Sequence, residues 1–484
     1  MRVLLVNPPD ELDAMLGVGK EFIQNLEPLG LLYIAAVLRE RGHDVRVIDA
    51  HAERLGTDDV RRRIESEQPE ILGFSTLTCN GAMVWDLGRW ARQTLPATFV
   101  VLGNVHAAVF ARQYVQHGCC DAVVHGEGEW VMADLADRLS AGSGWSDLPG
   151  LSFMGADGCV HLATDDAVVD DLTLLPLPAR DLVDQSLYGL GAISNQIYVP
   201  ERGGRAKTMV TSRGCPNRCT FCVVHGCRRP RFNSAVRVVD EMEHLQDLGT
   251  SYVFIDDPLF LANRRRVLDI CSEYRRRGLA ILWGGPAHVK YVDEELVKAL
   301  DAANCYDLSL GLESGVQRLL DAVRKNITVD QIREAVRTIK THSDIHVEGL
   351  FILGLPGETT SDSLETIRFA RELPLDMAQF SIFTPYPGSP VFDELAARGE
   401  INTGIGPDGS VDPSVWIRYS QYICFTDIEP IWVTPGLTVD ELRRLQKKAI
   451  RDFYLRPSQI LRHVRRLRPG NLATAVRIVW KAFW

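Results

Sequence analysis

Three cysteines, Cys215, Cys219 and Cys222, fall within the ten residues "RGCPNRCTFC" that run from Arg213 to Cys222. Three thiolates at C-x3-C-x2-C spacing suit three irons of a cubane iron-sulfur cluster and leave the fourth iron without a protein ligand. A metal with an open position binds substrate. The amino and carboxylate groups of an amino acid would chelate such an iron as a hard N/O pair, and an electron passed through that contact can break a bond in the ligand. The alternative is a zinc site completed by Cys227, five residues beyond Cys222.

Chemistry of this kind needs a rigid mouth, and the pattern of strands and helices supplies one. Continuous β-branched runs alternate with helical spacing in two series. The first series has strands at Val3 to Val6, Val45 to Ile48, Ile71 to Ser75, Phe99 to Leu102 and Ala122 to Val124. These β/α units predict a doubly wound, Rossmann-like or flavodoxin-like domain over 1–145. The stretch "LGLLYIAAVLRERG" between the first two strands reads as a helix ended by a glycine cap at Gly42. A proline-bearing linker, "LTLLPLPARDL", lies within 146–200. The second series, over 201–400, has strands at Thr208 to Thr211, Tyr252 to Ile255, Ile281 to Trp283, Leu308 to Gly311, Val347 to Leu353 and Gln379 to Phe383. Six β/α repeats predict a partial (β/α)6 barrel of the TIM type, whose chemistry belongs at the carboxyl ends of its strands. The polar segments fall there: the three-cysteine loop, "DDPLF" at Asp256, "GGPAH" at Gly284, "GLESG" at Gly311, "GLPGET" at Gly354 and "TPYPGSP" at Thr384.

Open α/β sheets also bind ligands at the carboxyl ends of their strands. In the first series those ends read "NPP" at Asn7, "STLT" at Ser75, "GNVHA" at Gly103 and "HGEGE" at His125. Small residues there admit a large flat or phosphate-bearing ligand. No G-x-G-x-x-G follows the first strand, which argues against a dinucleotide. Gly126 and Gly128 have a second reading, in which they only shape a turn.

The three-cysteine loop with Phe221 before its last cysteine, on the first strand of a six-unit barrel, resembles the radical S-adenosylmethionine (SAM) superfamily. "FIDD", "GLESG" and "FILGLPGET" are similar to later strand ends of its Elp3/MiaB-like branch, and "LLVNPP", "GEGE" and "LPLPARDL" to its cobalamin-binding subgroup. The resemblance runs from Met1 to about Glu400. It implies that Cys215, Cys219 and Cys222 ligate a [4Fe-4S] cluster whose fourth iron is chelated by SAM. It places Phe221 near the adenine, Asp256 and Asp257 near the SAM amino group, and Glu313 and Ser314 near the ribose and methionine. The corner Gly354 to Gly357, with Pro356, would admit the adenosine, and Asn7, Ser75, Thr76, Gly103, Gly126, Glu127 and Gly128 would face the corrin ring. One departure stands out: the D-x-H-x-x-G motif that carries a cobalt-binding His in many cobalamin proteins is missing after the first strand. Asp49-Ala50-His51 supplies D-x-H after the second, but Arg54 replaces the glycine, so His51 reads as a surface or structural residue.

The resemblance implies a cobalamin-dependent radical SAM methyltransferase, a 5′-deoxyadenosyl radical activating a carbon that then receives a methyl group carried on cobalamin. The substrate would be a small molecule, as in secondary metabolite biosynthesis, and the electron would come from a flavodoxin or ferredoxin. The same two domains also serve cyclisation, rearrangement or oxidation without methyl transfer; a non-catalytic iron-sulfur sensor would leave the barrel's strand-end loops without purpose. A formal net charge of -10 disfavours nucleic acid as partner. The apolar run of "MRVLLVNPP" is too short for a signal peptide, and no apolar stretch reaches the roughly 20 residues that span a bilayer, so the expected location is cytoplasmic. The extension 401–484 reads as mainly helical. Its basic end, with Trp480, Phe483 and Trp484, fits a helix packed on the domain or one lying on a membrane surface.

Overall fold

The computed structural model describes residues 1–17, 25–189, 206–226 and 229–466. The first sheet contains five parallel strands, β1 (Arg2–Asn7), β2 (Asp44–Asp49), β3 (Ile71–Ser75), β4 (Phe99–Gly103) and β5 (Ala122–Val124). Two antiparallel strands, β6 (Leu151–Met154) and β7 (Val160–His161), extend it, and the order is β2-β1-β3-β4-β5-β6-β7. Buried runs such as Val3 to Val6 and Val100 to Leu102 are what a parallel strand covered on both faces requires. Strand order reverses between β1 and β3, which opens a crevice at their carboxyl ends. Helix Leu29–Glu40 closes as the sequence predicts: Gly42 takes φ 82, its N–H donates to Arg39 O, and His43 N donates to Leu38 O. The strands β6 and β7 come from the stretch read as linker; they pair antiparallel at the sheet's edge, with no helix between them to mark a β/α unit.

The second sheet is all parallel. Its strands are β8 (Ala206–Met209), then, after a two-strand ribbon of β9 (Ser212–Arg213) and β10 (Arg231–Phe232), β11 (Tyr252–Ile255), β12 (Leu282–Ala287), β13 (Cys305–Glu313), β14 (His346–Leu353) and β15 (Met377–Ile382). The order β15-β14-β13-β12-β11-β8 is an open six-strand barrel. Along β14, buried Val347, Gly349, Phe351 and Leu353 alternate with half-exposed His346, Glu348, Leu350 and Ile352. One face thus packs on the outer helices while the other lines the interior.

Among the strand boundaries that differ from expectation, those of β8 and β12 have clear local reasons. Strand β8 ends at Met209 rather than Thr211 because the backbone N–H groups of Thr211 and Ser212 turn to Asp257. Strand β12 runs on through Gly284-Gly285-Pro286, where a Cβ on Gly284 would lie 2.2 Å from Asp307 Oδ1 and one on Gly285 2.6 Å from Ile255 O. The glycines are there to let neighbouring strands close up.

A single apolar cluster joins the two units to the C-terminal extension. It holds Leu4, Phe74 and Leu102 from the first sheet, Leu319, Val323, Phe383 and Val391 from the barrel, and Trp416, Tyr419 and Trp432 from the extension. Trp416 is fully buried, its ring 4.3 Å from that of His106 and 5.3 Å from Phe110. Helix Val439–Tyr454, opened by a Thr438/Glu441 capping box, packs beside β15. Among the described residues no helix is long and apolar enough to cross a membrane. Cys227 and the final tryptophans lie outside the described residues.

Candidate functional site

The cysteine loop is tied down at its base and again at Thr220. Asp257, at the end of β11, accepts hydrogen bonds from Thr211 N (2.6 Å), Thr211 Oγ1 (2.5 Å), Ser212 N (3.0 Å) and Ser212 Oγ (2.6 Å). The chain then enters the ribbon, where Arg213 pairs with Arg231 and Ser212 with Phe232, so the loop leaves and returns at one base. Gly214 turns the chain with φ 85. Farther out, Thr220 N donates to Val323 O (3.1 Å), Val391 N donates to Thr220 O (3.0 Å), and Phe221 packs against the shared apolar cluster.

Cys219 is buried; Cys215 and Cys222 are half-buried. Burial pushes the Cys219 thiol up to about 11 against the attraction of the Lys325 ammonium, and it also raises Cys222. The desolvated thiols of Cys219 and Cys222 resist ionisation without a cation, so the donor set fits a cluster whose irons supply positive charge. Among the described residues, no three His, Cys, Asp or Glu side chains converge on one point as ligands of a single ion do. A cubane meets each thiolate at a different corner.

Facing the loop is a buried ion pair, Lys325 Nζ to Glu313 Oε1 at 2.6 Å. Glu313 sits at a register irregularity of β13 with φ 59, a conformation that turns its side chain out of the strand's alternation. Burial alone would lower the Lys325 ammonium, but Glu313 and Cys219 outweigh it and hold the charge. Ser314 is committed elsewhere: its Oγ lies 3.0 Å from Thr366 Oγ1 and accepts from Val316 N. Asp256 follows the end of β11, its carboxyl raised by desolvation and by the neighbouring Asp257. At the next corner Gly354 takes φ +81 with its Cβ position 3.0 Å from Leu442, and Pro356 is half-buried. Glu358, buried and raised to about 7 by desolvation, accepts from Leu355 N (2.8 Å) and Ser363 Oγ and so holds that corner. Asp257 and Ser314 thus brace the mouth, whereas Glu313 and Asp256 present charge there.

At the first sheet, Asn7 Nδ2 donates to Asp49 Oδ1 (2.8 Å), and His51 is tied through Nδ1 to Asp10 (2.7 Å). Ser75 Oγ accepts from Asn104 Nδ2 (3.2 Å). Beside it the Thr76 hydroxyl is buried with no partner among the described residues, and a Cβ on Gly103 would meet open space. Leu77 and Val105 at the same edge are exposed, 42% and 38%. Open space, exposed apolar side chains and an unpaired hydroxyl fit a large, mostly apolar ring with polar edges.

The "GEGE" glycines are different. A Cβ on Gly126, at φ +80, would lie 2.3 Å from Ala167 O, and one on Gly128 would lie 2.9 Å from Ile34 Cδ1. The chain itself needs Gly126, whose neighbour is backbone, whereas at Gly128 the end of the Ile34 side chain could give way. Glu127 points across to the barrel, where Arg231 grips it with two bonds (2.7 and 2.6 Å). Sequence reasoning passed over Arg213, Glu129, Arg231, Lys325 and Glu358. Glu129 and Glu358 lie inside the quoted motifs "HGEGE" and "GLPGET", and Arg213 stands two residues before Cys215, so position alone could have marked these three; Arg231 carries no such signal.

Residues 15–136 match the B12 binding domain family and residues 209–370 the Radical SAM superfamily. The chain is 31% identical to an uncharacterized methyltransferase of Pyrococcus horikoshii, over 96% of its own length and 95% of the relative's. It is 30% identical to the anaerobic magnesium-protoporphyrin IX monomethyl ester cyclase of Rubrivivax gelatinosus, over 83% of this chain and 71% of that one. In fold it is similar to the radical SAM methyltransferase TsrM from Kitasatospora setae, solved with cobalamin and a [4Fe-4S] cluster: TM-score 0.68 and 20% identity over 97% of this chain and 92% of that one.

Proposed function

The chain belongs to the family of cobalamin-binding radical SAM proteins, and from that membership we propose that it methylates an unactivated carbon of a small molecule. Its cofactors are a [4Fe-4S] cluster, SAM and cobalamin. When bound, they supply a 5′-deoxyadenosyl radical from SAM and a methyl carrier. The protein's part is to hold geometry. Cys215, Cys219 and Cys222 hold the cluster on a loop fixed by Asp257. Asp256 offers a carboxylate to the SAM amino group, Glu313, paired with Lys325, faces the ribose and methionine portion, and the Gly354 to Gly357 corner, held by Glu358, leaves room for the nucleoside. The edge formed by Ser75, Thr76 and Gly103 carries the corrin. Phe221 joins the loop to the shared apolar cluster, which keeps water from the contact between the two units. We assign 1–145 to cobalamin, 201–400 to radical chemistry and 401–484 to closure of the contact by Trp416 and its neighbours. The electron comes from a low-potential donor such as a flavodoxin or ferredoxin.

The observation that carries methyl transfer is the likeness to a methyltransferase along the full length of both chains. Cyclisation is the second reading, favoured by the likeness to the Rubrivivax cyclase. Counting the fragments of SAM separates them. Methyl transfer consumes SAM in two ways and yields S-adenosylhomocysteine and 5′-deoxyadenosine in equal amounts. Cyclisation yields no S-adenosylhomocysteine, and that outcome would overturn the proposal.

A further inference from the structure

The base of the cysteine loop is held by the other unit. Arg213 and Arg231, paired across the ribbon, both direct their guanidinium groups at the acidic residues of "GEGE". Arg231 takes Glu127 with both arms of its fork, Nη1 to Oε2 at 2.7 Å and Nη2 to Oε1 at 2.6 Å, and Arg213 Nη1 lies 3.3 Å from the same carboxylate. Arg213 Nη2 donates to Glu129 Oε1 at 2.5 Å, with its guanidinium over the Tyr33 ring, 5.7 Å from the centroid. Val169 completes the set, its N–H donating to Glu127 Oε2 (2.7 Å) while its carbonyl accepts from Arg231. Glu129 and Arg231 are buried, and Glu127 and Arg213 are nearly so. Arg213 stands two residues before Cys215, and Glu127 and Glu129 stand just past the end of β5, at the same carboxyl side of the first sheet as Ser75 and Gly103 at the ends of β3 and β4.

The physical character of this contact differs from the rest of the junction. The shared apolar cluster is non-directional and tolerates small sliding of one unit on the other. Paired forks at fixed angles in a desolvated setting do not, because a shift of an ångström leaves buried charge uncompensated. The charge balance also holds locally, with two carboxylates facing two guanidiniums. Glu127 keeps its charge: burial would raise its carboxyl, but the Arg231 hydrogen bonds and the Arg213 charge bring it below its ordinary value.

We propose that Glu127 and Glu129 are positioning residues that act through Arg213 and Arg231 to lock the cluster loop against the ligand edge of the first sheet, so that an ionic clamp sets the separation of the two metal centres. This rests on the reading that the chain loads both groups. The purpose is geometric: a methyl group must be delivered to a carbon at which the adenosyl radical has just acted, and displacement by an ångström costs up to about a hundredfold in rate.

The test uses the full chain loaded with cluster and hydroxocobalamin, then reduced until cluster and cobalt are both paramagnetic. The magnetic coupling between them reports their distance. In Glu127→Gln/Glu129→Gln, iron and cobalamin per chain should match the wild type while the distance distribution broadens. S-adenosylhomocysteine formed per 5′-deoxyadenosine should fall about tenfold or more. Arg213→Lys, which keeps the charge and loses the fork, should show the same broadening to a smaller degree and serves if the double variant does not fold. An unchanged distribution overturns the proposal. So does loss of cluster or cobalamin from a folded variant, which would make the clamp a structural support. A wild type that binds no cobalamin or no cluster refutes instead the reading on which the proposal rests.

Discussion

Replacing Asp257 separates two roles for the carboxylate at the end of β11. The resemblance to known strand ends puts it near the SAM amino group; the structure spends its oxygens on four donors from Thr211 and Ser212. In Asp257→Ala the two hydroxyls can turn to other acceptors, but the two backbone N–H groups cannot, and both residues are essentially unexposed. Each stranded buried donor costs about 1–3 kcal/mol. Two of them, with partial relaxation, give about 2–5 kcal/mol against a total stability of roughly 5–15 kcal/mol. Asp257→Asn keeps one carbonyl oxygen for both N–H groups, and its amide can donate to the two hydroxyls, so its cost is about 1–2 kcal/mol. Hydrogen exchange at Thr211 and Ser212 reads the difference directly. Protection should drop by roughly one and a half to three and a half orders of magnitude in Asp257→Ala and by about one in Asp257→Asn, at 1.4 kcal/mol per decade. Iron content after reconstitution should follow the same order. Equal damage from Asn and Ala, or a full cluster with weakened SAM binding in Asp257→Ala, would refute the bracing role.

Four further outcomes are expected. Cys215→Ala, Cys219→Ala or Cys222→Ala should each abolish the [4Fe-4S] chromophore, whereas Cys227→Ala should retain it; iron loss in the last would make Cys227 a ligand. Gly103→Val should fill the open space at the corrin edge and weaken hydroxocobalamin binding by at least about tenfold with little change in thermal stability, measured by visible titration. Gly126→Ala should do the reverse, losing stability by more than the ~1–2 kcal/mol of a left-handed residue because its Cβ meets Ala167 O. His106 is held neutral by burial, its pKa lowered to about 3 from 6.5, so between those values the unfolded chain binds the extra proton and stability rises with pH. Relative to His106→Leu, the wild type should therefore gain up to about 1.4 kcal/mol per pH unit across that window, and parallel pH profiles from urea unfolding would contradict the assignment.

Strands that are buried on both faces and flanked by helical spacing were legible without a structure, as Ile71–Ser75, Ala122–Val124 and Tyr252–Ile255 show, because that burial selects continuous apolar runs. The cysteine loop was legible from spacing alone. What sequence could not carry was commitment between distant residues. Asp257 and Ser314 sit in recognisable motifs, yet their partners Thr211, Ser212 and Thr366 lie 46, 45 and 52 positions away. The "GEGE" motif suggested a ligand loop because glycines permit close approach. Its glycines instead admit Ala167 and Ile34, and its glutamates reach Arg213 and Arg231, 84 and 104 positions on. Strands β6 and β7 escaped notice because they pair antiparallel at the sheet's edge, with no helix between them to mark a β/α unit, and β7 has only two residues.

The central claim is that the two units meet so that carbon activated at the barrel mouth receives a methyl group carried by the first sheet. The most direct test supplies SAM bearing a deuterated methyl group, together with a low-potential reductant and a metabolite extract, to the enzyme loaded with cluster and cobalamin. The account predicts a small-molecule product heavier by the intact labelled methyl group. An altered product without label, formed with 5′-deoxyadenosine and no S-adenosylhomocysteine, would contradict it.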